Sequence, residues 1–263
     1  MTVLRIFSYL PNPRIWKATI AARLAGLDVE VRGASPTELA GWLWDFDARP
    51  LTGEEPEDSA DVGVGKVGFQ GKLRKTAAFL EAHPFGTVPA AFSPDGTVGI
   101  FESNSIMRAV ARIATEQLAL YGRDPYEASR IDSFLDASLV FARDSQIYLL
   151  SLMNGTVTRE IHARAADGFA TWASGIDRAL ANDRRWLVGD GLTLADICFV
   201  AELALFYNET ARRNALDAKS LAPILDDARL ANAYPRAITH FTLLRSHPAF
   251  APDVEPYLTK LGV

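Results

Sequence analysis

Val88-Pro89-Ala90-Ala91-Phe92 is a short apolar run entered through a proline. Asp95-Gly96, a strong hairpin signal, follows it, and then Gly99-Ile100-Phe101. Proline donates no ladder hydrogen bond, so Pro89 must lie at an edge or adopt a special geometry. Glu102-Ser103-Asn104 stands where the second strand ends and an amphipathic helix opens over 106–113. A serine at a helix start leaves backbone N–H groups free to hold an anion. The stretch predicts strand, tight turn, strand and helix, with its junctions presenting backbone to an extended, acidic small molecule.

Upstream, 3–9 is rich in β-branched and aromatic residues and predicts a strand. Asn12 fits an N-cap and Pro13 the first helical position. Ile15, Trp16, Ala18, Ile20, Ala21 and Leu24 then recur at helical spacing, and Gly26 closes the helix. Val29-Glu30-Val31 follows as a second strand, so a parallel β-α-β unit is expected.

Residues 34–74 differ in texture. Trp42, Trp44 and Phe46 precede the acidic run Gly53-Glu54-Glu55-Pro56-Glu57-Asp58 and a glycine-rich segment, 63–71. The three aromatics are expected to dock on neighbouring core or on a partner subunit. Gly63-Val64-Gly65-Lys66-Val67-Gly68 spells G-x-G-x-x-G, but it follows an acidic loop rather than a strand. It therefore reads as a flexible loop and not a dinucleotide site. A short helix is expected over 73–82.

Beyond Asp124-Pro125-Tyr126-Glu127, a helix start with its cap, the pattern is helical nearly to the end. Further helices are expected near 159–180, 194–207 and 235–244. Thr193 and Asp196 form a capping-box variant, with Leu192 and Ile197 as its hydrophobic staple, and carry no chemistry. A βαβ–ββα module followed by an all-helical half is an α/β plus all-α architecture.

With 263 residues, 49% hydrophobic and 22% charged, the chain can bury a full core in one large or two modest domains. A net charge of −5 argues against a general nucleic-acid binder. Cys198 is the single cysteine, so there is no disulfide framework and a reducing, cytoplasmic location is expected. No leader is expected before the first strand, and no apolar run reaches the roughly 20 residues that span a bilayer. The four histidines, at 83, 162, 240 and 247, show no ligand spacing, so no metal is expected.

Three separated signals resemble cytosolic glutathione transferases: Gly86-Thr87-Val88-Pro89 with Glu102-Ser103, Leu192-Thr193-Leu194-Ala195-Asp196, and Tyr234-Pro235 with His247-Pro248-Ala249-Phe250. The likeness is closest to the branch holding the transferase-like domain of translation elongation-factor gamma subunits. Ser8-Tyr9, Trp16-Lys17-Ala18, Phe101-Glu102-Ser103-Asn104 and 186–196 carry it. The resemblance implies a thioredoxin-like glutathione-binding domain over 1–118, with 34–74 as an insertion in place of the second helix. An all-helical glutathione-transferase C-terminal domain over 124–263 would bind substrate and dimerise.

It further implies that cis-Pro89 turns the Val88 backbone toward glutathione, that Glu102 holds the γ-glutamyl ammonium and that Ser103 takes its carboxylate. Lys75 or Lys72 is the nearest cation for the glycyl carboxylate. Ser8, Tyr9 and Asn12 are in range of the sulfur; Asn12, through its side-chain amide, is the first candidate to activate it, and Ser8 the second. A plain N-cap role for Asn12 competes for its carbonyl oxygen rather than its amide hydrogens. A hydrophobic second substrate would sit against the first long C-terminal helix, near Ser138, Phe141, Arg143, Tyr148 and Tyr207. The function implied is thiolate attack on a hydrophobic, aromatic electrophile, with β-aryl ether cleavage as a specific form. The alternative is a non-catalytic interaction module. A dimer is expected, of identical or related chains, with Trp42 and Trp44 contributing.

Overall fold

The computed structural model describes residues 2–53, 61–64, 72–114 and 119–263. Strand β1 (Thr2–Tyr9) sends Leu4 and Ile6 to one face and Phe7 to the other, all buried. Helix α1 (Pro13–Ala25) begins at Asn12, whose Oδ1 accepts from the Arg14 N–H at 3.0 Å, and ends at Gly26 with φ 64°. Strand β2 (Asp28–Ala34) then pairs parallel to β1.

The segment expected to be a loop-like insertion builds a second sheet. Strands β3 (Trp42–Trp44), β4 (Arg49–Pro50), β5 (Asp61–Val64) and β6 (Lys72–Lys75) pair in the order β4-β3-β6-β5. Gly63 and Val64, assigned to a flexible loop by composition, are strand residues of β5, where Val64 pairs with Lys72 of β6 after a register shift at Gly63. The acidic run 54–58 and the glycine-rich 65–71 lie outside the described residues. The helix expected over 73–82 is a strand, β6, followed by a shorter helix, α2 (Ala77–Ala82), capped by Thr76. Pairing of Leu43 with Arg74 overrides the local helical propensity there.

The aromatics explain why the second sheet is fixed. Trp44 is 1% exposed and meets Phe7 edge-on at 5.4 Å and Phe79 at 6.2 Å, while Phe46 meets Phe92 at 5.8 Å. Trp44 is thus core, which removes it from any dimer face. Arg5 and Arg32 both bridge Glu30 to Asp47, tying the first sheet to the chain beyond β3.

Strands β7 (Ala90–Phe92) and β8 (Gly99–Phe101) complete the first sheet, ordered β2-β1-β7-β8, with only β1–β2 parallel. Helix α3 (Ser103–Ile113) packs on α1. This is the thioredoxin-like βαβ–ββα module, with the second sheet inserted before β7. At the hairpin tip, the Asp95 carboxylate accepts from Ser93 Oγ at 2.6 Å, Thr97 N at 3.1 Å and Thr97 Oγ1 at 2.9 Å. These donors hold its pKa at about 2. A depressed carboxyl stabilises the fold fully above its unfolded value, about 3.9, and this support is lost as pH falls through about 2. The Thr97 amide resonance should therefore titrate with a midpoint near 2; a midpoint near the unfolded value would refute the turn geometry.

The rest is helical: α4 (Pro125–Met153), α5 (Arg159–Ala179), α6 (Leu194–Phe206), α7 (Arg213–Asp217), α8 (Asp227–Ala233), α9 (Pro235–Arg245) and α10 (Ala251–Leu261). Asp124 caps α4 through the Tyr126 and Glu127 amides, as its sequence predicts. Buried Glu209 accepts from Tyr148 Oη at 2.6 Å, Ile224 N at 2.8 Å and Leu225 N at 2.7 Å. Burial, and then the Glu209 charge, push the Tyr148 phenol far above its usual range. The chain divides into two compact units, Met1–Thr115 and Glu116–Val263. Among the described residues no helix is long and apolar enough to cross a membrane.

Candidate functional site

Register brings three separated sequence features to one end of the first sheet. Phe7 opposes Ala90, and Ala90 opposes Phe101. The next residues outward are therefore Ser8 on β1, Pro89 before β7 and Glu102 after β8. The Val88–Pro89 peptide is cis, and Glu102 carries φ 66°, a left-handed conformation that non-glycine residues adopt at a cost. Glu102 is exposed, Val88 and Pro89 are half-buried, and Ser103 opens α3 at 9% exposure.

Behind this end sits a polar layer. Asn12 Nδ2 donates to Ser8 Oγ at 3.0 Å, so the amide that caps α1 with its oxygen holds Ser8 with its nitrogen. Both residues are 0% exposed, while Tyr9 is half-buried. Lys17, also in α1, donates to Asn104 Oδ1 at 2.8 Å and to Ser103 Oγ at 3.3 Å.

Lys75 ends β6 with its Nζ on the Gly86 carbonyl at 2.6 Å and 4.7 Å from the centre of the Trp44 ring. Burial lowers its pKa from the usual lysine range. That bond places the ammonium beside the turn leading into Val88. The Lys72 side chain lies outside what the structure describes. His83 accepts from the Thr87 N–H at 3.2 Å and stacks on Phe101 at 4.9 Å; burial, and then the Lys75 charge, lower its pKa against an opposing contribution from Thr87.

The residues expected near a second substrate fall mostly into helical core. Tyr148 is bound to Glu209, Ser138 Oγ accepts from Trp172 Nε1 at 3.0 Å, and Tyr207 stacks on Phe241 at 5.8 Å. Arg143 is exposed. Phe141, stacked on Trp172 at 4.4 Å, lines a groove of about 990 Å³ between α4 and α5, with Phe134, Val140, Arg130 and Arg164. This groove belongs to the helical unit and contains none of the glutathione candidates. The other histidines serve the fold: His162 meets the Ala222 carbonyl, His240 meets Asp196, and His247 accepts from Ala249 N.

Sequence reasoning missed Lys17. Pro13, Lys17, Ile20 and Ala21 share a buried stripe of α1, so the signal was a charge at a core position of a helical pattern.

The profile of the glutathione S-transferase C-terminal domain matches residues 160–225. A probable elongation factor 1-gamma 1 of Arabidopsis thaliana is 33% identical over 165 residues, covering 58% of this chain and 39% of that protein. The chain thus spans about two fifths of such relatives' length. A glutathione S-transferase-like protein, LUC7, of a Fusarium species is 27% identical over 204 residues, covering 76% of this chain and 75% of that one.

Among solved structures, the glutathione transferase URE2P8 of Phanerochaete chrysosporium, with oxidized glutathione, superposes with a TM-score of 0.65 at 16% identity, covering 100% of this chain and 98% of that one. A Methylobacterium radiotolerans glutathione S-transferase in complex with glutathione sulfonate gives 0.62 at 19% identity, covering 95% and 94%. These likenesses establish the fold, a thioredoxin-like sheet followed by a helical glutathione S-transferase C-terminal domain. Beside them, the matched profile identifies a glutathione S-transferase C-terminal domain over residues 160–225, and the relatives make the chain a distant homologue of elongation factor 1-gamma and of fungal glutathione S-transferase-like proteins.

Proposed function

We propose that the chain is a glutathione-dependent enzyme whose first sheet seats the tripeptide at the Ser8–Pro89–Glu102 end. The Val88 backbone pairs with the cysteinyl segment like an added strand. Glu102 takes the γ-glutamyl ammonium, and Ser103 with the start of α3 takes the adjacent carboxylate. Lys75 has three donors and spends one on Gly86, leaving others for the glycyl carboxylate. Glu102 is the observation that carries this reading. A non-glycine residue at φ 66° costs about 1–3 kcal/mol, and such strain persists where a site needs the side chain.

The chemistry requires a thiolate. A free thiol has pKa near 8.5, and each unit of lowering represents ~1.4 kcal/mol of preferential stabilisation. The thiolate then forms a carbon–sulfur bond to an aromatic electrophile while the leaving group departs with its bonding pair. A phenoxide departs when the substrate is a β-aryl ether. Asn12, or Ser8 held by it, is the proposed activating group. Exposed Phe85, and Leu139 and Val140 on α4, offer apolar surface for self-association with an identical or related chain.

A second reading, a non-catalytic interaction module, draws support from the complete burial of Ser8 and Asn12 and from the elongation-factor relatives. Retention on immobilised glutathione, thiolate absorbance of the bound tripeptide and turnover of a halodinitrobenzene together test the enzyme. Glu102→Gly should keep or raise the unfolding midpoint, since glycine relieves the positive φ, yet weaken glutathione binding roughly 10-fold or more. Absence of retention by the unmodified chain would sink the enzyme and leave the module. Asn12→Ala should lower kcat roughly 10-fold while affinity stays within a few-fold. Unchanged turnover with a loss of about 1 kcal/mol in stability would return Asn12 to a plain cap.

A further inference from the structure

Lys17 is 1% exposed, and two of its hydrogen bonds go to the first two residues of α3, 86 and 87 positions downstream. Packing α1 on α3 does not call for an ammonium: methionine would fill the same stripe without the desolvation that a buried charge costs. The geometry of the contact says what the charge does. Serine has one donor and two acceptor lone pairs, and an ammonium is donor only. With Nζ on one lone pair of Ser103 Oγ at 3.3 Å, the Ser103 hydroxyl hydrogen is left to donate elsewhere. The cation also stands behind the first turn of α3, whose unpaired N–H groups already favour an anion there. On the solvent side Glu102 supplies the opposite charge, so anion and cation are offered side by side.

We propose that Lys17 is a positioning and specificity residue that tunes the Ser103 end of the cradle for a carboxylate lying next to an ammonium, the α-amino-acid head of a γ-glutamyl ligand. The proposal rests on the glutathione reading above. It adds a selection against ligands whose head group has lost its carboxylate charge.

The test is calorimetric titration with two probes: S-methylglutathione, and the same molecule with its γ-glutamyl α-carboxylate converted to the amide. The unmodified chain should bind the carboxylate form roughly 10-fold tighter or more, as charge-assisted hydrogen bonds do over neutral ones. Lys17→Met should lose most of that preference by weakening only the carboxylate probe, with the amide within about 2-fold. Lys17→Gln, which keeps an N–H donor near Ser103 and Asn104 without the charge, should show the same selective loss, and serves alone if Lys17→Met does not fold. Equal weakening of both probes, or an undiminished preference in the variants, overturns the role of Lys17 while the glutathione reading stands. Failure of the unmodified chain to bind either probe overturns both.

Discussion

Gly33→Ala is expected to lower stability by about 3 kcal/mol or more, the largest loss from adding one methyl group at any glycine whose surroundings are described. Gly33 lies in β2 with φ 152°, directly opposite Ser8 of β1, and a Cβ there would stand 1.7 Å from the Ser8 carbonyl oxygen. Backbone oxygen has no rotamer to escape into, so the strands must part at the end that carries Ser8. Gly175→Ala supplies the opposite sign. Its Cβ meets nothing within 4 Å in the C-terminal part of α5, and alanine should stabilise the helix by about 0.5–1 kcal/mol. Urea unfolding of the full chain reads both, and an unchanged midpoint for Gly33→Ala would contradict the β1–β2 register.

Asp196→Ala is expected to cost about 3–5 kcal/mol, because its carboxylate is shared by three parts of the helical unit. Oδ2 accepts from Thr193 N at 2.9 Å and Thr193 Oγ1 at 3.0 Å; Oδ1 accepts from Leu187 N at 3.1 Å and meets His240 Nε2 at 2.8 Å. The residue is 0% exposed, so the donors it satisfies are out of reach of bulk water. A loss below about 1 kcal/mol for Asp196→Ala would mean that these donors find other partners.

Asp196 also shows how far local reading reaches. Its capping role was legible from Thr193, three residues away, and so were the caps at Asn12 and Asp124 and the hairpin at Asp95-Gly96. Its bond to His240, from a helix 44 positions on, was not. The candidate site divides in the same way. Val88-Pro89 and Glu102-Ser103 could be named because each is a dipeptide with its own backbone consequence. That Asn12 and Ser8 hold each other, sealed from solvent, required the turn between β1 and α1 to close. The insertion misled for a related reason: β3 and β4 have three and two residues, too short for any period to register.

By itself, then, the order of residues determined the helix starts, the hairpin and the succession of a βαβ–ββα module and helices. Each of these is decided by neighbours within about one turn, through capping bonds and turn dihedrals. Only the tertiary structure decided that three strands end together at Ser8, Pro89 and Glu102, that Trp44 belongs to the core, and that Lys17 stands behind Ser103. Those facts follow from strand register and from the packing of α1 on α3. They depend on which surfaces bury each other, and no short window of sequence contains both.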